Sequence, residues 1–467
     1  MYDLNRTAST AELLRRYDRP GPRYTSYPTA VEFHPGVTEA TYRERLAQAN
    51  RAAGDPLSVY VHLPFCEERC SYCGCNVVIT RHREVAARYL DAVCGEIDLL
   101  AAALPARRSV SQLHLGGGTP TYYPAEQLEA LHGAVARHFT FTADAEVSVE
   151  IDPRVTSEEQ LSRLAARGFN RVSLGVQDFT PKVQEAVRRV QGYELTRRLV
   201  EHSRAAGYAS VNIDLIYGLP YQDLDGFGRT LEQVIELRPD RVAVYSFAFV
   251  PWMRAHMKLL PQEGLPAPAL KLELLALAIE AFGAAGYRQI GMDHFALPGD
   301  ELSRAVENRS LYRNFMGYTV QSARDTVALG VSGIGDVHGA FVQNTKKLTE
   351  YYTAIDAGRF PIERGYALDA DDLVRREVIA ALMCNLHLDV GAIERRFGIS
   401  FGEYFGRELF ELTGPGSPEA DGLVRVTPEA IDVTPLGRLF VRNVCMVFDR
   451  YLRARTSGPK PVFSRTV

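Results

Sequence analysis

Six short runs of β-branched and other apolar residues alternate with helical stretches in the first half of the chain, and this alternation constrains the fold most. The runs lie at 57–63, 112–115, 146–151, 171–174, 210–215 and 241–245. Regular strand–helix alternation is typical of parallel strands joined by crossover helices. Six units rather than eight predict an α/β fold built on a partial (β/α)6 barrel, open on one side where a large substrate can enter.

The intervening stretches carry helix signals. Leu128, Leu131 and Val135 fall on one helical face. Thr156 and Glu159 fit a capping box, which predicts a helix that Gly168 ends.

Polar residues follow each predicted strand at its C-terminal end, the face on which barrel enzymes build their active sites. In strand order they are the cysteines after 63, Gly116 to Pro120, Glu150 with Asp152, Gln177 with Asp178, Asp214, and Tyr245 to Ala248. A single carboxylate at a strand end is more often a helix cap or a solvated loop residue. Six such positions in register predict one shared site.

The glycine run at 116–118 is by itself a weak signal. It lacks the GxxxxGK of a phosphate-binding loop and the GxGxxG of a dinucleotide fold. The glycines are therefore expected to let the backbone approach a ligand closely.

Three cysteines spaced CxxxCxxC, Cys66, Cys70 and Cys73, directly follow the first strand. Three thiolates can hold three irons of a four-iron cluster and leave the fourth open to a small molecule. The alternatives are a zinc site, which normally takes four ligands, or a chance grouping. Cys75 is the only nearby candidate for a fourth ligand, and so short a loop strains to wrap a tetrahedral ion. An iron–sulfur centre is the favoured prediction.

Composition limits the other classes. A chain of 467 residues with a hydrophobic fraction of 46% fits two domains. Seven cysteines, four of them between 66 and 75, form no disulfide framework. The polar start Met1-Tyr2-Asp3 and the lack of a long apolar run predict neither export nor membrane spanning, so we expect a cytoplasmic protein. A net charge of −4 without a basic run argues against nucleic acid as a partner.

We predict three parts: an N-terminal arm (1–50) closing the barrel, the barrel (51–350), and a mainly helical C-terminal domain (351–467). Val374, Val378 and Leu382 are spaced four apart, and 436–452 reads as one apolar helix. Strand-like pieces at 423–426 and 431–433 make this domain winged-helix-like. Acidic residues argue against DNA binding there and favour a lid or docking surface; they are Glu419, Asp421, Glu429 and Asp432.

With CxxxCxxC after the first barrel strand and a glycine-rich second loop, the chain resembles the radical S-adenosylmethionine superfamily. Within it, the chain resembles the oxygen-independent coproporphyrinogen III oxidase family over nearly its whole length. The strings that carry this resemblance are PGPRYTSYPT from residue 20, VHLPFC from 61, GGGTPT from 116, GVQD from 175, DLIYGLP from 214, IGMDHF from 290, RNF from 313 with GYT from 317, and VRNVCM from 441.

This resemblance implies that Cys66, Cys70 and Cys73 hold a [4Fe-4S] cluster whose open iron binds S-adenosylmethionine. It implies that the first S-adenosylmethionine contacts Tyr60, Gly117, Glu150 and Ile334. It further implies a second molecule at Tyr72, Gly118, Thr119, Gln177, Arg189, Asp214 and Ala248. Tyr60, Glu150, Gln177 and Asp214 are the catalytic candidates.

The implied reaction is the anaerobic oxidative decarboxylation of two propionates of coproporphyrinogen III, giving protoporphyrinogen IX in haem biosynthesis. A flavodoxin- or ferredoxin-type electron donor and a monomeric enzyme are implied as well. A tetracarboxylate substrate favours arginine and hydroxyl partners, so the substrate candidates are Arg23, Tyr24, Phe315 and Met316. Met316 departs from the glutamine of well-known members, which puts one polar substrate contact in doubt. An alternative of equal weight is that the arm only packs on the barrel and stabilises it.

Three other functions stay open. A haem chaperone keeps the cluster motif but typically lacks the PRYTSYP arm, which this chain has. A haem-modifying radical enzyme is the second alternative, and Met316 is the only feature that leaves room for it. A cluster-based oxygen sensor that contacts DNA is disfavoured by the acidic C-terminal domain.

Overall fold

The structure, a computed structural model, describes residues 7–320, 323, 325–455 and 462–466. The extreme ends of the predicted arm and C-terminal domain, including Met1 to Asp3, lie outside the described residues. The helices are α1 Thr7–Tyr17, α2 Glu39–Ala49, α3 Arg83–Ala103, α4 Ala125–His138, α5 Glu158–Ala166, α6 Pro181–Ala186, α7 Tyr193–Ala205, α8 Leu224–Leu237, α9 Pro268–Ala284, α10 Glu301–Glu307, α11 Leu348–Asp356, α12 Ala370–Asn385, α13 Val390–Phe397, α14 Phe401–Tyr404, α15 Gly406–Thr413, α16 Pro435–Arg438, α17 Val441–Val447 and α18 Arg450–Ala454. The strands are β1 Leu57–Leu63, β2 Phe65–Cys66, β3 Val78–Ile79, β4 Ser109–Gly117, β5 Thr140–Ile151, β6 Arg171–Gln177, β7 Ser210–Tyr217, β8 Arg241–Ser246, β9 Arg288–Ile290, β10 His294–Ala296, β11 Tyr312–Asn314, β12 Gly317–Thr319, β13 Asp325–Leu329, β14 Ile334–Val337, β15 Ala340–Asn344, β16 Ile362–Ala367, β17 His387–Asp389, β18 Val424–Val426 and β19 Ala430–Val433.

The main sheet has twelve strands in the order β16-β15-β14-β13-β1-β4-β5-β6-β7-β8-β10-β9. Strands β1 and β4 to β8 are mutually parallel and correspond to the six predicted runs. Helices between consecutive parallel strands pack against one another in chain order. The predicted α/β class with six parallel strand–helix units is therefore confirmed. On one side β13 adds a further parallel strand beside β1, followed by the antiparallel strands β14 to β16, and on the other side β10 and β9 are antiparallel.

The parallel strands have one apolar and one polar face. In β6, Val172, Leu174 and Val176 are buried, whereas the residues between them are half-buried. Strand β7 repeats this pattern, with Asn212 and Asp214 on the half-buried face. Because side chains alternate across a strand, the apolar set packs under the helices and the polar set faces the barrel interior.

One predicted helix start is wrong by one residue. The capping box of α5 is formed by Ser157 and Gln160, not by Thr156 and Glu159. Thr156 instead donates to the carbonyl oxygen of Asp152, and its hydroxyl oxygen lies 2.8 Å from that of Thr121. Its hydroxyl is therefore used in tertiary contacts and is not available as a cap. Gly168 follows the helix with φ +91°, as expected for a helix end.

The C-terminal region combines short helices with a three-stranded sheet in the order β17-β19-β18, and α12 buries Val374, Val378 and Leu382 as predicted. The single helix predicted over 436–452 is wrong, because the chain forms α16, α17 and α18 there. Asp449 separates the last two, since its carboxylate caps the backbone amides of Tyr451 and Leu452.

Strand β16, at Ile362–Ala367, pairs with β15 of the main sheet. The sheet therefore continues past residue 350, and the division of the chain at 350 stays a prediction.

The segment between α1 and α2 is held mainly by C-terminal side chains. The buried guanidinium of Arg442 donates to the carbonyl oxygens of Pro22 and Gly21. The hydroxyl of Tyr24 donates to Asp449 Oδ2 at 2.9 Å. These contacts fix residues 21–24 beside the barrel opening. Among the described residues, no helix has the length and apolar character needed to cross a membrane.

Candidate active site

The C-terminal ends of the parallel strands meet around a cavity of about 300 Å³, here called the cysteine cavity. Because every parallel strand ends at the same edge of the sheet, residues far apart in the sequence converge there. Eleven predicted site residues line the cysteine cavity: Cys66, Cys70, Tyr72, Cys73, Gly117, Gly118, Thr119, Glu150, Gln177, Arg189 and Asp214. Cys75 and Tyr245 also line it.

The glycine run after β4 is required by close packing. A Cβ atom on Gly118 would lie 2.6 Å from the backbone of Pro64, and one on Gly117 would lie 2.7 Å from the His62 ring. A Cβ on Gly116 would lie 2.9 Å from the carboxyl carbon of Glu150. Gly117 also has φ +116°, which favours glycine. The run therefore lets this loop lie directly against the cysteine segment and Glu150.

The three motif cysteines line one cavity, and two arginines lie beside Cys70. Guanidinium nitrogens of Arg154 and Arg189 lie 3.6 and 3.7 Å from Cys70 Sγ. A hydrogen bond from Cys75 lowers the pKa of Cys73 to about 6, whereas burial raises that of Cys66 to about 11. All three motif cysteines line this one cavity, as ligands of a single cluster must. The donor set fits a cluster.

Glu150 carries the negative charge at the centre of the site. His114 Nε2 donates to Glu150 Oε1 at 3.0 Å, and the Gly117 amide donates to Oε2 at 3.2 Å. Although burial opposes ionisation, these contacts hold the pKa of Glu150 below its usual value. Asp214 lies nearby with hydrogen bonds from Asn212 and Ser173, and its pKa is raised to about 6, chiefly by burial and then by Glu150.

Asp152 is held between two arginines at the rim of the cysteine cavity. Arg189 Nη1 lies 2.8 Å and Arg154 Nη2 lies 2.7 Å from Asp152 Oδ2. The Nε of Arg189 is buried without a hydrogen-bond partner in the described structure. Arg189 and the anionic Glu150 both line the cysteine cavity, and a cation and an anion on one cavity suit a ligand with both a carboxylate and an ammonium group. S-adenosylmethionine has this combination.

A second cavity of about 200 Å³, here called the arm cavity, lies between the arm, the barrel and α12. Tyr60, Ile334, Tyr24, Phe315 and Met316 of the predicted site line it, together with His62. A central cavity of about 110 Å³ shares Glu150 and Asp214 with the cysteine cavity and Met316 with the arm cavity. The three cavities therefore adjoin in series.

His62 is oriented between these residues by two hydrogen bonds. The Asn76 carbonyl can only accept, so His62 Nε2 carries the proton and donates to it at 2.9 Å. Nδ1 then accepts from the Tyr60 hydroxyl at 3.0 Å. Burial lowers the pKa of His62, which favours this neutral form.

Two arginines line the arm cavity, and each has an aspartate partner, Asp293 for Arg313 at 3.8 Å and Asp336 for Arg376. Arg313 donates to the backbone carbonyl of Arg23 at 2.7 Å, and its buried Nε has no partner within the described residues. Arg376, on α12, forms an ion pair with Asp336 and donates to the Tyr312 hydroxyl at 3.0 Å. The chain therefore places two guanidinium groups on the wall of one cavity.

Two predicted residues lie outside these linings. Arg23 donates instead to the carbonyl oxygen of Ser246 at 2.6 Å, and Ala248 is half-buried beyond β8. Sequence reasoning missed Arg376, because an arginine on an amphipathic helix looks like a solvated surface residue. It also missed His114, for which alternation along β4 was an available signal.

Two family models match the chain. The Radical SAM superfamily model matches residues 60–234, and the HemN C-terminal domain model matches residues 368–440. The first runs from within β1 to within α8 and contains the motif cysteines and the glycine run, and the second begins just after β16. The fold and site thus define a radical SAM protein, a class that implies a [4Fe-4S] cluster and S-adenosylmethionine as cofactors.

Relatives extend the match to the whole chain. An oxygen-independent coproporphyrinogen III oxidase of Pseudomonas aeruginosa is 46% identical over 95% of this chain and 96% of its own length. An oxygen-independent coproporphyrinogen III oxidase of Escherichia coli is 45% identical over 97% of this chain and 98% of its own length. A solved coproporphyrinogen III oxidase (HemN) from Escherichia coli superimposes with a TM-score of 0.88 at 45% identity, covering 92% of this chain and 97% of that one. The chain belongs to the oxygen-independent coproporphyrinogen III oxidase family.

Proposed function

We propose that this protein catalyses the oxygen-independent oxidative decarboxylation of coproporphyrinogen III to protoporphyrinogen IX in haem biosynthesis. The observation that carries the proposal is the series of adjoining cavities. It runs from three thiols and an anionic Glu150 at one end to two arginines at the other. This order separates a site for radical generation from a site for a carboxylate-rich substrate.

The arm cavity suits the substrate because Arg313 and Arg376 can each pair with a propionate carboxylate. Tyr24 and Phe315 supply apolar wall area for the tetrapyrrole. Met316 lies on the wall shared with the central cavity and offers no amide there. We therefore assign substrate binding to the arm cavity and give Arg23 the role of holding the arm.

The cysteine cavity suits the cofactors. Cys66, Cys70 and Cys73 would hold the cluster, and Glu150 would bind the ammonium group of S-adenosylmethionine. When bound, these cofactors supply the one-electron chemistry that removes a hydrogen atom from an unactivated carbon. The arm, held by Arg442 and Asp449, restricts the entry of water from the barrel opening.

Several finer points are also proposed. A second S-adenosylmethionine would lie at Tyr72, Gly118, Thr119, Gln177, Arg189 and Asp214, which line the cysteine cavity, near Ala248. Equilibrium binding should then give two molecules per chain. A flavodoxin- or ferredoxin-type donor, a monomeric state and a cytoplasmic location complete the proposal.

The test is anaerobic incubation of cluster-loaded protein with dithionite, S-adenosylmethionine and coproporphyrinogen III, followed by chromatography. We expect protoporphyrinogen and 5′-deoxyadenosine together. Deoxyadenosine without decarboxylated porphyrin would overturn the substrate assignment. Absence of both products together with tight haem binding would overturn the assignment as an enzyme.

A further inference from the structure

The cysteine loop lies at the surface between two other segments. The amide of Ser71 donates to the Val187 carbonyl at 2.9 Å on one side. On the other side, Arg254 donates to the carbonyl of Gly74 at 2.5 Å and His256 to that of Cys73 at 2.8 Å. Residues 66–84, 181–190 and 251–264 thus form one continuous surface, here called the cysteine-loop surface.

This surface carries an excess of exposed apolar side chains. Among the described residues, four large apolar side chains are more than half exposed, and three of them belong to the cysteine-loop surface: Val190 and Leu259, each 67% exposed, and Met253, 59% exposed. Trp252 is 39% exposed beside them. Neighbouring residues such as Val187 and Met257 are buried in one small hydrophobic cluster, which holds the segments that carry the patch together. A clustered apolar patch of this kind marks an interaction site.

The cysteine-loop surface is also positively charged, although the chain carries a net charge of −4. Outside the buried Arg189, which pairs with Asp152, its three segments hold seven basic and five acidic residues: Arg69, Arg81, Arg83, Lys182, Arg188, Arg254 and Lys258, against Glu67, Glu68, Glu84, Glu185 and Glu263. Glu67 and Glu68 are paired with Arg83 and Arg81. Arg69, Arg188 and Lys258 are exposed and form no ion pair with any described residue. Glu185 and Glu263 are exposed and form no ion pair with a described residue either, so the surface keeps a small excess of positive charge, which complements an acidic partner.

A surface depression leads from this patch to a motif cysteine. An open depression of about 530 Å³ is lined by Cys66 and Val190, by the arginines Arg154 and Arg188, and by Glu67, Glu68 and Asp152, each of which pairs with an arginine. Cys66 also lines the cysteine cavity on the inner side. A group held by the cysteines is therefore approachable from outside without passing through the substrate cavities.

We propose that the cysteine-loop surface is the docking site for a small acidic flavoprotein that delivers single electrons. This inference rests on the proposed function, which needs an external electron for each cleavage of S-adenosylmethionine. The reduced flavin loses one electron and the cluster gains it, and no bond forms or breaks in that step. The apolar side chains suit the apolar dimethylbenzene edge of a flavin, whereas the basic ones suit the acidic protein around it.

The test compares two reductants on the cluster-loaded protein. In the Arg188→Glu/Lys258→Glu variant, we expect the apparent KM for reduced flavodoxin to rise about tenfold and the salt dependence of the rate to flatten. Val190→Ser/Leu259→Ser should weaken flavodoxin binding with little change in salt dependence. Turnover with dithionite, which needs no docking, should stay at the unmodified level in both variants.

Matched controls are Arg359→Glu, an exposed arginine away from the cysteine-loop surface, and Phe410→Ser, the fourth highly exposed apolar residue. Neither should change the flavodoxin KM. Equal losses with flavodoxin and dithionite, an unchanged flavodoxin KM, or binding of ferredoxin but not flavodoxin would each overturn the proposal. The dithionite reaction of the unmodified protein reports the proposed function separately, and flavodoxin affinity can be measured without turnover.

Discussion

Replacing Glu150 by glutamine tests the assignment of the charged centre of the site. The carboxylate accepts hydrogen bonds from His114 and the Gly117 amide, and 43% of the side chain remains exposed to the cavity. Glutamine keeps the size and one acceptor oxygen but removes the charge. A charge-assisted hydrogen bond to the ammonium group of S-adenosylmethionine is worth about 1.5–3 kcal/mol. Its loss should therefore raise the Kd about 10- to 150-fold.

The assay is anaerobic equilibrium dialysis of S-adenosylmethionine against the cluster-loaded protein, with iron content measured in parallel. Iron should be retained, because Glu150 is not a proposed cluster ligand. Gly116→Ala should weaken binding as well, since its Cβ would lie 2.9 Å from the Glu150 carboxyl carbon. Glu129→Gln, on the outer helix α4, is the matched control. A Kd for Glu150→Gln within twofold of the unmodified protein would refute the charge argument.

Three further predictions concern other parts of the chain. Alanine at any one of Cys66, Cys70 and Cys73 should abolish the visible absorption of the cluster, whereas Cys75→Ser should leave it intact; cluster loss in the latter would contradict the three-ligand assignment. Arg376→Gln should raise the KM for coproporphyrinogen III about tenfold through loss of a carboxylate contact, with the exposed Arg396→Gln as control, and steady-state kinetics would show an unaltered KM if Arg376 only joins α12 to Asp336. Burial raises the pKa of Glu96 from 4.5 to about 7, so the folded state binds this proton more tightly and loses about 3 kcal/mol of stability as pH rises from about 4.5 to about 7. Denaturant titrations across that range should show a weaker dependence of the free energy of unfolding on pH for Glu96→Gln. The same pH dependence in both proteins would contradict this prediction.

Local sequence patterns were sufficient for the architecture of the barrel. Alternating strand and helix runs predicted the six parallel strands, because hydrophobic periodicity reports which face of each element is buried. Parallel pairing then forced the strand ends to one edge of the sheet. The convergence of Cys66, Glu150 and Asp214 on one cavity followed from topology alone.

Local patterns failed where two local structures fitted the sequence about equally well. Thr156 and Ser157 both fit a capping box, and the contact of Thr156 with Thr121 decided between them. Residues 436–452 are apolar enough for one helix, but Asp449 begins a new one there and also accepts from Tyr24 of the arm. In the first case a partner distant in the sequence determined the outcome, whereas in the second the local cap by Asp449 ended the helix.

The sequence by itself determined the six parallel strand–helix units, the cysteine motif and the edge on which the site lies, because these depend on periodicity and connectivity. Only the tertiary structure decided which cations face the arm cavity. Arg23 turns away to a backbone carbonyl, whereas Arg376 reaches the cavity from a helix of another region of the chain. The physical reason is that an arginine side chain is long and flexible, so its direction depends on which distant acceptor satisfies its donors.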